Sequence, residues 1–197
     1  ERFPIELKRK SEPKVLFHDL FTNNIAYVQI GFDALSIPFD KVPYLSLVGK
    51  LVLVMGTQKH SYMEISQLLG IHTGGLRSWH FTSTKINDHK SLLSRIFFSG
   101  KALMENLDHL FDIWEELIQE HDFNNPKRLI EIIKSSKADM EDSILSSGNH
   151  YVLSRLNSYK SPLGQYNELS EGISYYKFLE KLLDHAEKNP DEVAEEF

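Results

Sequence analysis

The chain has 197 residues, 41% of them hydrophobic and 25% charged. These values fit an ordinary globular protein and exclude wholesale disorder. A chain of this length buries about 70% of its unfolded surface, so one sizeable core is expected. The 22 Lys+Arg against 28 Asp+Glu give a formal charge of −6, which disfavours nucleic acid as the main partner.

The absence of cysteine excludes a disulfide framework, a thiol nucleophile and cysteine-ligated zinc. It also fits a reducing compartment such as a bacterial cytoplasm or an organelle matrix. The longest apolar run, Leu51–Met55, is far short of the roughly 20 residues a membrane span needs. The chain opens at Glu1 without a basic-then-apolar leader, so no secretory signal is expected. Both ends read as cuts in a longer protein.

In chain order, Glu1–Pro13 is polar, carries Pro4 and Pro13, and reads as a linker or irregular edge segment. Residues 14–197 read as a single domain. Val15–Phe17 and Ile25–Phe32 are strand candidates around a Thr22-Asn23-Asn24 turn, and are expected to form a hairpin. In the second strand Tyr27, Gln29 and Gly31 alternate with Ala26, Val28, Ile30 and Phe32. Pro43 opens a helix over Tyr44–Met55 that is apolar nearly all round, with Gly56 as its stop. Ser61 and Glu64 have capping-box spacing for a helix ending at Gly70.

Thr73-Gly74-Gly75 reads as a turn before strands Leu76–Lys85 and Leu92–Phe98, joined by Asn87-Asp88-His89-Lys90. Gly100 precedes an amphipathic helix with Leu103, Leu107, Leu110, Phe111, Trp114, Leu117 and Ile118 on one stripe. A helix from Pro126 to about Ser147, capped by Asn125, stops at Gly148. Helices over Tyr151–Tyr159, Ile173–His185 and the acidic end complete the chain. The order predicts an α+β fold, an antiparallel β-sheet with helices packed on one face.

Nine histidines are present, but no two share the i, i+4 spacing of a helical zinc site. G-x-S-x-G, Walker and G-x-G-x-x-G motifs are absent. Trp79, His80 and Phe81 read as sheet or core packing. The carboxylates Glu115, Glu116 and Glu120, and Asp139, Glu141 and Asp142, read as solvated faces.

Four stretches carry a resemblance. They are Lys14-Val15-Leu16-Phe17-His18-Asp19-Leu20-Phe21-Thr22-Asn23-Asn24-Ile25-Ala26-Tyr27, Pro43-Tyr44-Leu45-Ser46-Leu47, Met55-Gly56-Thr57 and Gly70-Ile71-His72-Thr73-Gly74-Gly75. Their order, with Arg155 further on, resembles the third domain of the presequence protease and falcilysin branch of the pitrilysin/insulinase superfamily. The likeness runs from about Lys14 to Lys181. Members are zinc metallopeptidases whose four similar α+β domains close around a peptide chamber. Their active domain carries H-x-x-E-H on a helix. Counting back from Gly56, the equivalent pentad is Leu47-Val48-Gly49-Lys50-Leu51, which lacks both zinc ligands and the carboxylate base.

The resemblance therefore implies a non-catalytic domain of a zinc metalloendopeptidase that degrades short unfolded peptides. It implies no metal in this piece, with zinc in the parent's first domain. It also implies partners in the other domains of the polypeptide and in peptide substrates, with neither nucleic acid nor membrane. Gly74, Gly75, Arg77 and Trp79 become candidates to line the chamber, and an acidic wall would favour basic peptides. The alternative is a stand-alone degenerate peptidase-like scaffold or peptide-binding protein.

Overall fold

A computed structural model describes residues 6–9 and 14–197. The rest of the Glu1–Pro13 segment lies outside the described residues. The elements are β1 (Glu6–Arg9), β2 (Val15–Phe17), β3 (Ile25–Asp33), α1 (Val42–Val54), α2 (Tyr62–His72), β4 (Leu76–Lys85), β5 (Asp88–Leu103), α3 (Leu107–Gln119), α4 (Pro126–Ser146), α5 (Gly148–Ser158), α6 (Pro162–Ser170), α7 (Ile173–Lys188) and α8 (Pro190–Glu195). The α+β expectation holds, with helices packed around an antiparallel sheet of order β3-β5-β4.

Local signals account for much of this. Asn23 and Asn24 both adopt positive φ, a conformation asparagine tolerates in tight turns. Ser61 and Glu64 form the reciprocal capping box: the Ser61 hydroxyl accepts from the Glu64 N–H, and the Glu64 carboxylate accepts from the Ser61 N–H at 2.8 Å. Asn125 caps α4 through Arg128 N–H. α1 lies directly on the sheet: a Cβ on Gly49 would sit 2.9 Å from Ser78 Oγ and 3.0 Å from Ile96 Cδ1. Its buried Leu47 and Leu51 join Leu129, Ile133, Leu179 and Val193, from α4, α7 and α8, in the main core.

Several expectations are corrected. β2 pairs with β1, not with β3, so the hairpin partner of Val15–Phe17 lies within the segment read as a linker. β5 is far longer than Leu92–Phe98 and turns back on β4 through Ile86-Asn87. Gly100 lies inside β5, where a Cβ would meet Leu76 Cδ2 at 2.5 Å and Leu110 Cδ1 at 2.9 Å; its glycine serves close packing of α3 on the sheet, not a helix start. Leu103 consequently belongs to the strand. On α3 the buried residues are Leu110, Ile113, Trp114 and Leu117, while Phe111 is exposed. α2 continues past Gly70 to His72, and Gly148 opens α5. The sequence reading also lacks α6, whose start is marked by Ser161 accepting from Gly164 N–H and by Pro162 in the first turn.

Candidate functional site

The pentad falls within α1 as expected. Leu47 and Leu51 are fully buried in the core. Neither has a ligand atom, so the residues present do not fit zinc. The Lys50 ammonium turns to α4, donating to Ser136 Oγ and Asp139 Oδ2, both at 3.1 Å. A cation thus stands where the catalytic carboxylate would be. Asp139, read as a solvated carboxylate, has this ammonium as its partner. Among the described residues no three His, Asp or Glu side chains are grouped to hold a metal ion.

Glu116 is a second departure from the solvated-face reading. It accepts hydrogen bonds from the Thr57 hydroxyl and from His60 Nδ1, the latter at 2.8 Å. Burial works to raise its pKa, but these two bonds prevail and hold the carboxyl below its ordinary value. The network ties α3 to the loop after α1.

Strand alternation separates the two faces of the sheet. The inner face carries Ala26, Val28, Ile30, Ile96 and Phe98 against the helices. His80 also points inward, its Nε2 2.7 Å from Ser94 Oγ, and Ser94 donates to the Tyr166 hydroxyl at 2.9 Å. Burial pushes His80 below its ordinary pKa. In the unfolded chain it titrates near 6.5, at about the reference value. Below that pH the unfolded chain binds more protons than the folded one, so stability falls as pH drops through this window. Thermal midpoints measured from pH 7.5 to about 5 are expected to fall less steeply for His80→Gln than for the parent chain. Parallel profiles would remove His80 as the cause.

The outer face is different. Trp79 and Phe81 lie on it, 37% and 40% exposed, contrary to the packing role read for them. The register aligns Tyr27 with Lys101, Gln29 with Ser99 and Arg77, Gly31 with Phe97 and Trp79, and Asp33 with Arg95 and Phe81. Trp79 stacks on Phe97 with centroids 4.6 Å apart and planes 18° apart, and its indole N–H donates to Ser99 Oγ at 2.9 Å. Phe97 in turn covers Gly31, where a Cβ would lie 2.6 Å from the ring.

Of the four residues singled out from sequence, Arg77 and Trp79 share this face two positions apart. Gly74 and Gly75 lead into it. Gly74 N–H donates to Lys101 O at 2.7 Å, and Gly75 has φ of +97°. β4 is an edge strand of the three-stranded sheet. Sequence reasoning missed Phe81, Phe97, Arg95 and Lys101 as members of the same surface. Alternation placed Tyr27, Gln29 and Gly31 together, but only the register brings the other strands beside them.

A three-stranded antiparallel sheet with an apolar α1 in place of a ligand-bearing helix defines a peptidase-like domain without its metal pentad. Residues 2–182 match the family described as peptidase M16 subfamily C associated, and the chain belongs to that family, on the presequence protease branch of the M16 peptidases. It is 32% identical over 189 residues to presequence protease 1, chloroplastic/mitochondrial, of Arabidopsis thaliana, covering 96% of this chain and 17% of that protein. It is 29% identical to protein HypA of Clostridium perfringens, covering 90% and 18%. It is 29% identical to the mitochondrial presequence protease of Saccharomyces cerevisiae, covering 99% and 20%. The chain therefore spans about a fifth or less of these relatives' length.

Proposed function

We propose that this chain is the third, non-catalytic domain of a zinc metalloendopeptidase that degrades short unfolded peptides. In that role it forms part of the peptide chamber wall and closes on the catalytic half. The carrying observation is the α1 pentad, where buried Leu47 and Leu51 and the paired Lys50 replace every group the zinc chemistry needs. Zinc would be held in the first domain of the parent, outside this chain. Gly74, Gly75, Arg77 and Trp79 would line the chamber, and edge strand β4 offers a backbone for strand addition.

The other domains of the same polypeptide are the second class of partner. α5 supports that reading: Val152, Leu153, Leu156 and Tyr159 are at least half exposed, an apolar face that a neighbouring domain would cover.

The purified chain is expected to carry no stoichiometric zinc by atomic absorption and to leave an unstructured basic peptide intact with or without chelator. The complete polypeptide is expected to cleave it in a chelator-sensitive manner. Chelator-sensitive cleavage by the isolated chain would overturn the assignment.

A further inference from the structure

The outer sheet face has a charge opposite to that of the chain. The whole chain is −6, yet the charged side chains around the Trp79–Phe97 stack are Arg77, Arg95 and Lys101, against Asp33 alone. None of the three cations has an ion-pair or hydrogen-bond partner among the described residues, although Lys50, Lys59, Arg128, Lys134, Lys137 and Arg155 elsewhere are all paired. Exposed Arg77 alternates with the aromatics of β4, and Tyr27 opens the row on β3 with 64% of its surface exposed. Unpaired guanidinium groups beside exposed rings recognise carboxylates and aromatic side chains together.

We propose that this face binds extended peptide segments carrying acidic and aromatic side chains, in preference to basic ones. This rests on the chamber-wall reading and reverses the acidic wall expected from net charge. Aromatic side chains would pack on the free face and edge of Trp79, on Phe81 and on Tyr27. Acidic side chains would meet Arg77, Arg95 and Lys101. Peptide is favoured over single-stranded nucleic acid because Phe97 already covers one face of Trp79, which removes one of the two ring surfaces available for base stacking.

The test labels the chain with 5-fluorotryptophan. It has two tryptophans, so the Trp79 fluorine resonance reports the face and that of buried Trp114 reports the integrity of the fold. Two synthetic peptides of equal length, one of Glu and Phe and one of Lys and Phe, are titrated, followed by an oligothymidylate. Each exposed charge pair contributes a few-fold, so the Glu/Phe peptide is expected to bind at Trp79 about tenfold more tightly than the Lys/Phe peptide. Arg77→Glu combined with Arg95→Glu is expected to invert the order with the Trp114 resonance unmoved. Where that variant disturbs Trp114, Arg77→Gln is expected to reduce the preference. Equal binding, or a preference for Lys/Phe, overturns the inference and leaves the chamber-wall reading standing. No shift at Trp79 with either peptide overturns both. Tighter binding of the oligothymidylate than of the Glu/Phe peptide overturns it in favour of nucleic acid.

Discussion

Trp114→Ala is expected to lower the unfolding free energy by about 3–5 kcal/mol, while Trp114→Phe stays within about 1 kcal/mol of the parent chain. The Trp114 side chain is 1% exposed and fills the small core formed with Ala102 and Leu110, flanked by Val28, Ile30, Leu76 and Leu107. It sits against Gly100, where a Cβ would lie 3.1 Å from its ring. Truncation to alanine removes the whole indole and leaves a void between α3 and the sheet, beside a strand that cannot collapse inward. The indole N–H, however, is buried without a hydrogen-bond partner among the described residues. Its unmatched desolvation offsets part of the gain from burying the ring. Phenylalanine keeps most of the apolar contact and removes that donor. Urea unfolding with an unchanged m-value distinguishes the two variants. A phenylalanine variant as unstable as the alanine one would show that the N–H has a partner after all.

The second large effect is expected at Glu168. This carboxylate is 4% exposed, yet it is well partnered. Oε1 accepts from Ser174 N–H at 2.9 Å and from Arg155 Nη1 at 3.2 Å, and Oε2 accepts from Ser154 Oγ at 3.3 Å. The arrangement clips α5, α6 and the start of α7 together. Gly172 leaves it room, since a Cβ there would come within 2.3 Å of Oε2. Removing one partner of a buried pair typically costs about 3–5 kcal/mol. Arg155 is 37% exposed and rehydrates when its partner is lost, so Glu168→Ala is expected to cost about 2–3 kcal/mol. Glu168→Gln keeps the acceptor for Ser174 N–H and is expected to cost less. Arg155→Ala is also expected to cost less than Glu168→Ala, because it strands no buried backbone N–H. A reversal of that order, read from urea midpoints, would show that the guanidinium rather than the carboxylate holds the clip. Arg155, noticed in sequence as part of a resemblance, thus has a structural task of its own.

Much was legible without coordinates where the signal is local. A capping box needs only Ser61 and Glu64 three residues apart. The all-apolar character of α1 follows from its own composition, and a leucine in a histidine position cannot bind zinc in any fold. The missed α6 has a polar, short sequence whose Ser161 cap and Pro162 start were present but unread, because no apolar stripe announced it. The start of α3 was misplaced because Gly100 signals a break when read alone. In the structure it is the flat point of a long strand, and the flatness is needed by Leu110 and Trp114, residues ten and fourteen positions further on.

The class of fold, the family and the loss of the metal pentad each depend on residue identity and short-range spacing, so all three could be read from the chain without coordinates. Which residues form a surface could not. Pairing β5 with both β3 and β4 carries Tyr27, Phe97, Trp79 and Arg77 to one exposed face. Folding also turns Glu116 and Glu168, polar by composition, into partly and almost fully buried carboxylates. Strand partners and burial are set by contacts between residues far apart in the chain, and no local pattern encodes which distant backbone a strand will meet.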